Sequence, residues 1–222
     1  MSIYAVLLDQ LPYLLQGLGI AVLLLIALLL VGLALGLFFA LVEIYGPLWA
    51  RVPVYALERF ARGVPAIILL FLFYYGLGNL WSISSFAAAV GALGLRSGGY
   101  QSQIFRGAIQ SVPYGQMLAA RAIGLSRMRA VAYIIVPQAL RHAIGPWSNE
   151  FSAEFKDTSL AYVIGVIELT RQAHYIISNQ HGHTLPVLLF AAVLYFIVNR
   201  FGNSLLYRLE ARLEVPGFER RS

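Results

Sequence analysis

The sequence predicts an all-α integral membrane protein, and three observations carry that prediction. Hydrophobic residues make up 59% of the 222 residues and charged residues only 12%, whereas soluble domains average about 45–50% and about 25%. Long stretches carry no charge, and most of the basic residues lie between them. This composition excludes a disordered chain and an ordinary soluble globule, because too few polar residues remain to cover a surface exposed to water.

The first predicted span is the apolar run at residues 17–42, which lies in a charge-free stretch from residue 10 to residue 42. A helix rises about 1.5 Å per residue, so about 20 residues cross the hydrocarbon core of a bilayer. Gly32 and Gly36 have the spacing that lets a second helix approach closely. We therefore expect this span to pack against another helix through these glycines.

Four further spans follow from the other apolar stretches, within a single domain that covers residues 1–222. Gly, Asn and Ser residues interrupt the charge-free stretch at 63–95 and divide it into two segments. The run Ser159–Leu169 is too short to cross, and it predicts a short re-entrant or interfacial helix. The four spans are predicted at about 56–77, 86–107, 138–156 and 185–206.

The orientation follows from the basic residues, because Lys and Arg in short loops stay on the cytoplasmic side of a membrane. With five spans, one side holds Asp9, the loop at 79–85 and Arg171. This arrangement predicts an N-terminus outside the cell and a cytoplasmic C-terminus. The arginines on the cytoplasmic side are Arg51, Arg59, Arg62, Arg106, Arg121, Arg127, Arg129, Arg208, Arg212, Arg220 and Arg221.

The same basic residues argue against a nucleic-acid partner. A net charge of +6 at pH 7 is explained by membrane orientation and by a C-terminal tail that contacts lipid headgroups. The chain has no Cys, so disulfides and thiolate metal sites are excluded. His181 and His183 form a His-x-His pair, but they have no carboxylates nearby and predict a polar loop rather than a metal site.

A polar stretch at residues 111–126 predicts two cytoplasmic helices that meet at a tight bend. Gly124 suits the left-handed end of the first helix, and Ser126 suits the N-cap of the second. The small side chains of Ala119 and Ala120 leave room for a partner surface to approach. The alternative is a plain amphipathic linker that lies on the membrane.

This stretch resembles the cytoplasmic signature of ABC importer permeases, which reads E-A-A-x-x-x-G and later I-x-L-P. Here it stands as Leu118-Ala119-Ala120-x-x-x-Gly124, with Ile134-Ile135-Val136-Pro137 downstream. The chain is most similar to the branch that transports polar amino acids. Four further blocks resemble that branch: Arg62-Gly63-Val64-Pro65, the segment Tyr100–Ile109, Pro137-Gln138-Ala139-Leu140-Arg141, and Lys156-Asp157-Thr158-Ser159-Leu160.

Two positions depart from the family pattern. Leu118 replaces the Glu of the cytoplasmic signature, and Gln103 replaces the Glu of the third-span block. In the family that signature Glu helps to pin the helix to its neighbours. The departure at Leu118 therefore leaves the strength and symmetry of ATPase docking open, and a homologous partner permease would be able to supply the acidic copy.

The resemblance implies the type I ABC importer fold, in the bacterial inner membrane. Two permease subunits, identical or homologous, would form the pore, and an extracytoplasmic binding protein would deliver the amino acid. Two ATPase subunits would bind ATP and Mg, because the only Lys of this chain, Lys156, lacks the glycines of a phosphate-binding loop. The helix at about 113–125 would dock on the ATPase through Gly115, Gln116, Leu118, Ala119, Ala120 and Gly124.

Charged residues inside the predicted spans indicate a substrate site. Arg96 lies in the middle of the third span, where a charge must face protein or water. Glu154 and Asp157 share one face of the fourth span. We expect Arg96 to take the carboxylate of an amino acid and Glu154 to take its ammonium group or a cationic side chain, with Ser97 and Tyr100 beside them. The alternative is a structural ion pair between Arg96 and Glu154.

The charge count favours a basic or neutral amino acid over an acidic one, because the acids outnumber the single Arg. Glu150 and Lys156 are set aside, since both would lie near a membrane interface, where such side chains reach the headgroups. Two other classes of function remain as alternatives, a membrane-embedded enzyme and an autonomous channel. The first lacks an acid, base or metal constellation, and the second would not need a coupling helix.

Overall fold

The computed structural model describes residues 3–179 and 184–213, and all the regular structure in these two ranges is helical. Short π-helical segments at Leu72–Leu77 and Val131–Ile135 continue two of the helices, and a 3₁₀ helix occupies Thr158–Ile164. The helices are α1 Ile3–Tyr45, α2 Leu48–Gly63, α3 Ala66–Phe71, α4 Gly78–Trp81, α5 Ser85–Ser111, α6 Tyr114–Ala122, α7 Arg127–Ala130, α8 Val136–Asp157, α9 Leu169–Asn179 and α10 Thr184–Leu213.

Helices α1 and α5 form the central pair, and the glycines of α1 bring their backbones together. A Cβ atom on Gly32 would lie 2.6 Å from Gln101 Nε2, and one on Gly36 would lie 2.7 Å from Gln101 Cβ. Only glycine fits at such distances, because any side chain would displace its neighbour. The predicted close approach at Gly32 and Gly36 is therefore confirmed, and its partner is α5.

The predicted span at 56–77 is not one straight helix, which corrects the sequence analysis. Helices α2 and α3 meet at an angle of 110° between Gly63 and Ala66. Pro65 explains the break, since proline has no N–H and moves the preceding residue out of the helical region; Val64 has ψ 133°. Residues 56–63 therefore belong to the amphipathic helix α2.

The other four predicted spans, 17–42, 86–107, 138–156 and 185–206, each fall inside one helix, namely α1, α5, α8 and α10. By length and composition, Leu8–Tyr45 and Thr184–Arg212 are apolar enough to cross a membrane, and the bent α2–α3 pair qualifies if it counts as one span. Helices α5 and α8 have sufficient length but carry inward-facing polar residues. The number of helices that cross the membrane therefore stays a prediction.

The segment after α8 contains one helix that the sequence analysis missed. The predicted re-entrant run at 159–169 covers most of the 3₁₀ helix, a turn at Gly165 with φ +94°, a short loop and the first residue of α9. Helix α9 follows, and its N-terminus is capped by Glu168, whose carboxylate accepts the N–H groups of Thr170 at 2.8 Å and Arg171 at 2.9 Å.

Candidate functional site

A charged cluster joins α5 to α8 in the interior of the protein. Arg96 Nη1 lies 2.6 Å from Asp157 Oδ2 and 3.7 Å from Glu154 Oε1. The two acids are three positions apart on α8, close to one helical turn, so they share the face that meets α5. The sequence placed these residues on one face, and the structure brings that face against Arg96.

Glu154 is the most deeply buried member of this cluster. Its side chain is 1% exposed, compared with 20% for Arg96 and 27% for Asp157. Neither of its carboxylate oxygens has a hydrogen-bond partner among the described residues. A buried carboxylate without a hydrogen bond is costly unless a cation or donor compensates it. Arg96 gives its short contact to Asp157 and only a longer one, 3.7 Å, to Glu154.

The two remaining predicted site residues lie in the same cluster. The Tyr100 ring lies 5.0 Å from the Arg96 guanidinium carbon, within cation–π range. Ser97 is fully buried, and its hydroxyl donates to Glu150 Oε1 at 3.4 Å. The structure therefore assembles all five predicted residues, namely Arg96, Ser97, Tyr100, Glu154 and Asp157.

Glu150, which the sequence analysis set aside as interfacial, also belongs to the cluster. It lies one helical turn before Glu154 on α8 and contacts Ser97 of α5. The spacing of four residues between Glu150 and Glu154 was the signal for this position. Lys156 is exposed, and Asp157 forms its ion pair with Arg96.

A hydrogen-bonded chain that the sequence did not predict supports this cluster. The Trp147 indole N–H donates to Gln101 Oε1 at 2.8 Å, and Gln101 Nε2 donates to Ser97 Oγ at 3.0 Å. Gln101 is fully buried, and its Nε2 also approaches the Leu29 carbonyl oxygen of α1 at 3.5 Å. The chain thus links α1, α5 and α8 beside the site.

A second buried charge cluster ties α1, α2 and α5 together at the other end of α5. Glu58 of α2 is fully buried and pairs with Arg62 Nε at 3.1 Å. Arg106 of α5 contacts Glu43 of α1 and lies 3.9 Å from Glu58. Gln103, the residue that departs from the family pattern, donates to Glu58 at 3.0 Å. Gln103 therefore supplies one hydrogen bond to a buried acid, and this network holds α2 against α1 and α5.

The predicted coupling helix corresponds to α6, and the bend after it lies at Gly124, where φ is +90°. Ser126 caps α7 as expected, with its side chain accepting the N–H of Arg129. Ala120 is only 3% exposed, so it packs inside this chain and does not face a partner, contrary to the sequence analysis. The other five predicted docking residues are exposed: Gly115, Gln116, Leu118, Ala119 and Gly124.

A groove of about 710 Å³ runs beside α6. Its walls come from the ends of α1 and α5, from α6 and from the π-helical segment before α8, and they are largely apolar. Leu118, which replaces the family Glu, lines this groove and is 54% exposed. An apolar side chain in this position favours an apolar contact over the ion pair that a Glu would be able to make.

The histidines form no metal centre within residues 3–179 and 184–213, where no three His, Asp or Glu side chains are arranged to hold a metal ion. His174 stacks on Tyr162 with ring centroids 5.2 Å apart. The predicted polar-loop residues His181 and His183 lie outside the described residues, as do Arg220 and Arg221 of the C-terminal tail.

Permease proteins of two bacterial amino acid transport systems match most of this chain. The glutamine transport system permease protein of Escherichia coli strain K12 is 35% identical over 187 residues, which cover 83% of this chain and 85% of that protein. The arginine ABC transporter permease protein of Haemophilus influenzae is 34% identical over 194 residues, which cover 83% of this chain and 86% of that one.

Solved structures agree with these sequence relatives. The crystal structure of an amino acid ABC transporter with histidines matches with a TM-score of 0.84 at 30% identity, covering 96% of this chain and 99% of that one. An inward-facing methionine ABC transporter has a TM-score of 0.73 at 19% identity and shows the same fold. Residues 32–215 match the family of inner membrane components of binding-protein-dependent transport systems. The chain belongs to this family, as the resemblance in its cytoplasmic signature implied, and is a transport subunit with the type I importer fold.

Proposed function

We propose that this chain is the permease subunit of an ATP-driven importer of polar amino acids, basic or neutral. The observation that carries the proposal is the charged cluster of α5 and α8, in which Glu154 is 1% exposed and has no hydrogen-bond partner among the described residues. The relatives also support the proposal, because proteins named as glutamine and arginine permeases match 83% of this chain.

The chemistry of the cluster supports a zwitterionic ligand with at least one positive group. Arg96 would exchange its contact with Asp157 for the ligand carboxylate, because both carboxylates accept the same guanidinium donors. Glu154 would then receive the ammonium group. Two acids, Glu154 and Asp157, lie within 4 Å of the single guanidinium of Arg96, and Glu150 lies one turn before Glu154. An acidic amino acid would therefore add charge of the wrong sign.

The proposed assembly contains a second permease subunit, identical or homologous, and two ATPase subunits that hold ATP and Mg. Helix α6 would dock on the ATPase, and an extracytoplasmic binding protein would deliver the amino acid to the opposite face. The positive-inside rule supports an external N-terminus and a cytoplasmic C-terminus. Closure of the ATPase would then rock the spans around the midplane cluster and alternate its access.

Uptake by the reconstituted complex tests this proposal. The permease, its ATPase and its binding protein are placed in proteoliposomes with ATP on the ATPase side, and labelled arginine, glutamine and glutamate are supplied in turn. We expect ATP-dependent uptake of arginine or glutamine and none of glutamate. Uptake of glutamate alone, or uptake of any of the three without ATP, would refute the proposed function.

A further inference from the structure

Helix α2 has two opposite faces of different chemistry. Its inner face, where the helix contacts α1 and α5, is buried or half-buried and consists of Ala50, Val54, Glu58 and Ala61. Its outer face is exposed and apolar and consists of Trp49, Val52, Ala56 and Phe60. Trp49 is 80% exposed and Val52 is 59% exposed. The helix therefore places its only acid inside and large apolar side chains outside, the reverse of a helix on the surface of a soluble protein.

A basic edge, formed by Arg51, Tyr55 and Arg59, runs along one side of the outer face. The three residues are spaced four apart, so they line up on the helix, and all of them are exposed. The Arg59 guanidinium carbon lies 4.9 Å from the centre of the Tyr55 ring, and the ion pairs of the described residues include neither arginine. Glu43 shares a small pocket with Arg51, but it is buried and pairs with an arginine of α5. The edge therefore offers two positive charges to an external anion.

The buried charges around Glu58 fix the direction in which α2 faces. The Glu58 carboxylate pairs with Arg62 of the same helix at 3.1 Å and accepts a hydrogen bond from Gln103 of α5 at 3.0 Å. Rotation of α2 about its axis would separate this fully buried acid from its partner on α5, which is costly. The apolar face and the basic edge therefore point away from the rest of the chain as a fixed property of the fold.

The connections of α2 determine its depth in the membrane. Only Gly46 and Pro47 separate it from α1, which is predicted to end on the cytoplasmic side. Helix α2 therefore begins at the level of the cytoplasmic headgroups, and the 110° bend to α3 leaves it at a large angle to the predicted span that follows. Helices with an apolar face and a basic polar edge lie in this interface, and the cytoplasmic leaflet carries the anionic lipids.

We propose that α2 is an interfacial helix that binds anionic phospholipids of the cytoplasmic leaflet, with its outer face among the acyl chains and Arg51 and Arg59 on the phosphate groups. The two chemistries of the helix match the two parts of such a lipid. Phosphatidylglycerol offers its phosphate without a competing cation, whereas phosphatidylcholine carries a cation of its own beside the phosphate. The proposal rests on the proposed function, from which it takes the orientation of the spans.

Quenching of a fluorescent label by brominated lipids tests this proposal. The chain has no Cys, so Ala56→Cys introduces a single thiol on the outer face for the label. The labelled permease is assembled with a cysteine-free ATPase in phosphatidylcholine nanodiscs that contain the same small fraction of brominated phosphatidylglycerol or brominated phosphatidylcholine. We expect an association constant at least about threefold higher for phosphatidylglycerol, because each arginine near an anionic surface contributes a factor of about five.

Paired arginine variants separate the basic edge from the overall charge of the molecule. Arg51→Gln combined with Arg59→Gln should bring the ratio of the two association constants close to one. Arg208→Gln combined with Arg212→Gln is the matched control, because it removes the same charge from exposed positions of α10 on the same predicted side of the membrane. The control should leave the ratio at the value of the labelled chain without these substitutions.

Two results would overturn the proposal while the proposed function stands, and neither depends on an arginine variant being stable. Equal quenching by the two lipids would show that the outer face contacts lipid without selecting anionic headgroups. Absence of quenching by both lipids would show that the ATPase or the second permease subunit covers this face. A complex that shows the lipid preference but transports neither arginine nor glutamine in proteoliposomes would instead refute the proposed function alone.

Discussion

Gly32 shows how a single missing side chain positions the candidate site. A Cβ atom there would lie 2.6 Å from Gln101 Nε2 and 2.7 Å from Ser97 Oγ, the two links of the polar chain that ends at Glu150. The glycine therefore does more than allow helices to approach. It leaves the space in which two buried polar side chains are hydrogen-bonded.

Gly32→Ala should destabilise the protein by about 1–3 kcal/mol, because overpacking a buried contact forces its neighbours to shift. We expect a lower Tm in thermal unfolding of the purified complex and a reduced preference for basic ligands. Gly19→Ala on the same helix is the control, since a Cβ at Gly19 meets nothing within 4 Å. Equal Tm values for the two variants would contradict the packing described here.

The residues of the cluster could be predicted from the sequence only in part. Arg96, Glu154 and Asp157 were predictable because a charge within an apolar span has few explanations, and helical spacing places two of them on one face. Gln101 and Trp147 were not predictable, since neutral polar residues in a helix carry no signal of their own. Their role depends on how α5 crosses α8, which only the tertiary structure supplies.

At the scale of helices, two features could not be predicted from the lengths of apolar runs. They are the bend at Pro65 and helix α9. The predicted span at 56–77 included Glu58 and Arg62, and those charges belong to the buried network that anchors α2. Helix α9 buries Leu169, Ala173 and Ile176, an amphipathic pattern of helical spacing. Helix α9 has only 11 residues, so a search for apolar runs long enough to cross a membrane does not detect it.

Two substitutions in helix α6 should have different effects, one on ATPase association and the other on folding of the permease. Leu118 is 54% exposed in the groove, whereas Ala120 is 3% exposed and packs within the chain. Leu118→Asp should therefore abolish ATPase association while the permease stays folded. Ala120→Asp should lower the yield of folded permease, because it buries a charge without a partner.

Co-purification of the tagged ATPase, with size-exclusion chromatography of each permease variant, measures both effects. If Leu118→Asp retains the ATPase and supports normal uptake, α6 does not dock through its exposed face. If Ala120→Asp folds normally and only releases the ATPase, Ala120 faces the partner as the sequence first indicated, and its burial in this chain would be contradicted.

For the whole molecule, the distribution of polar and apolar surface determines how it lies in the membrane. Large apolar side chains project outwards along α1 and α10, including Ile26, Leu30, Phe196 and Phe201, each at least half exposed. Polar and charged residues of α5 and α8 face each other inside. Lipid and the second permease subunit would cover the outer apolar surface, and the interior would supply the pathway for the substrate.

Orientation is a prediction of the whole molecule, since it depends on all the loops together. A reporter fused after Ser222 should be cytoplasmic, and one inserted near Gly182 should be external, because the arginines concentrate on the side of the C-terminus. Alkaline phosphatase and green fluorescent protein fusions measure the two sides. An external reporter after Ser222 would contradict the five-span topology and its orientation.

The central claim is that the cluster of α5 and α8 binds the transported amino acid, and amino acid uptake by two variants tests it most directly. In proteoliposomes with the ATPase and the loaded binding protein, Arg96→Ala should lose uptake of every amino acid although the complex still assembles. Glu154→Gln should reduce uptake of basic amino acids more strongly than uptake of neutral ones. If Glu154→Gln leaves all uptake intact and Arg96→Ala only prevents assembly, the pair is structural and the substrate binds elsewhere.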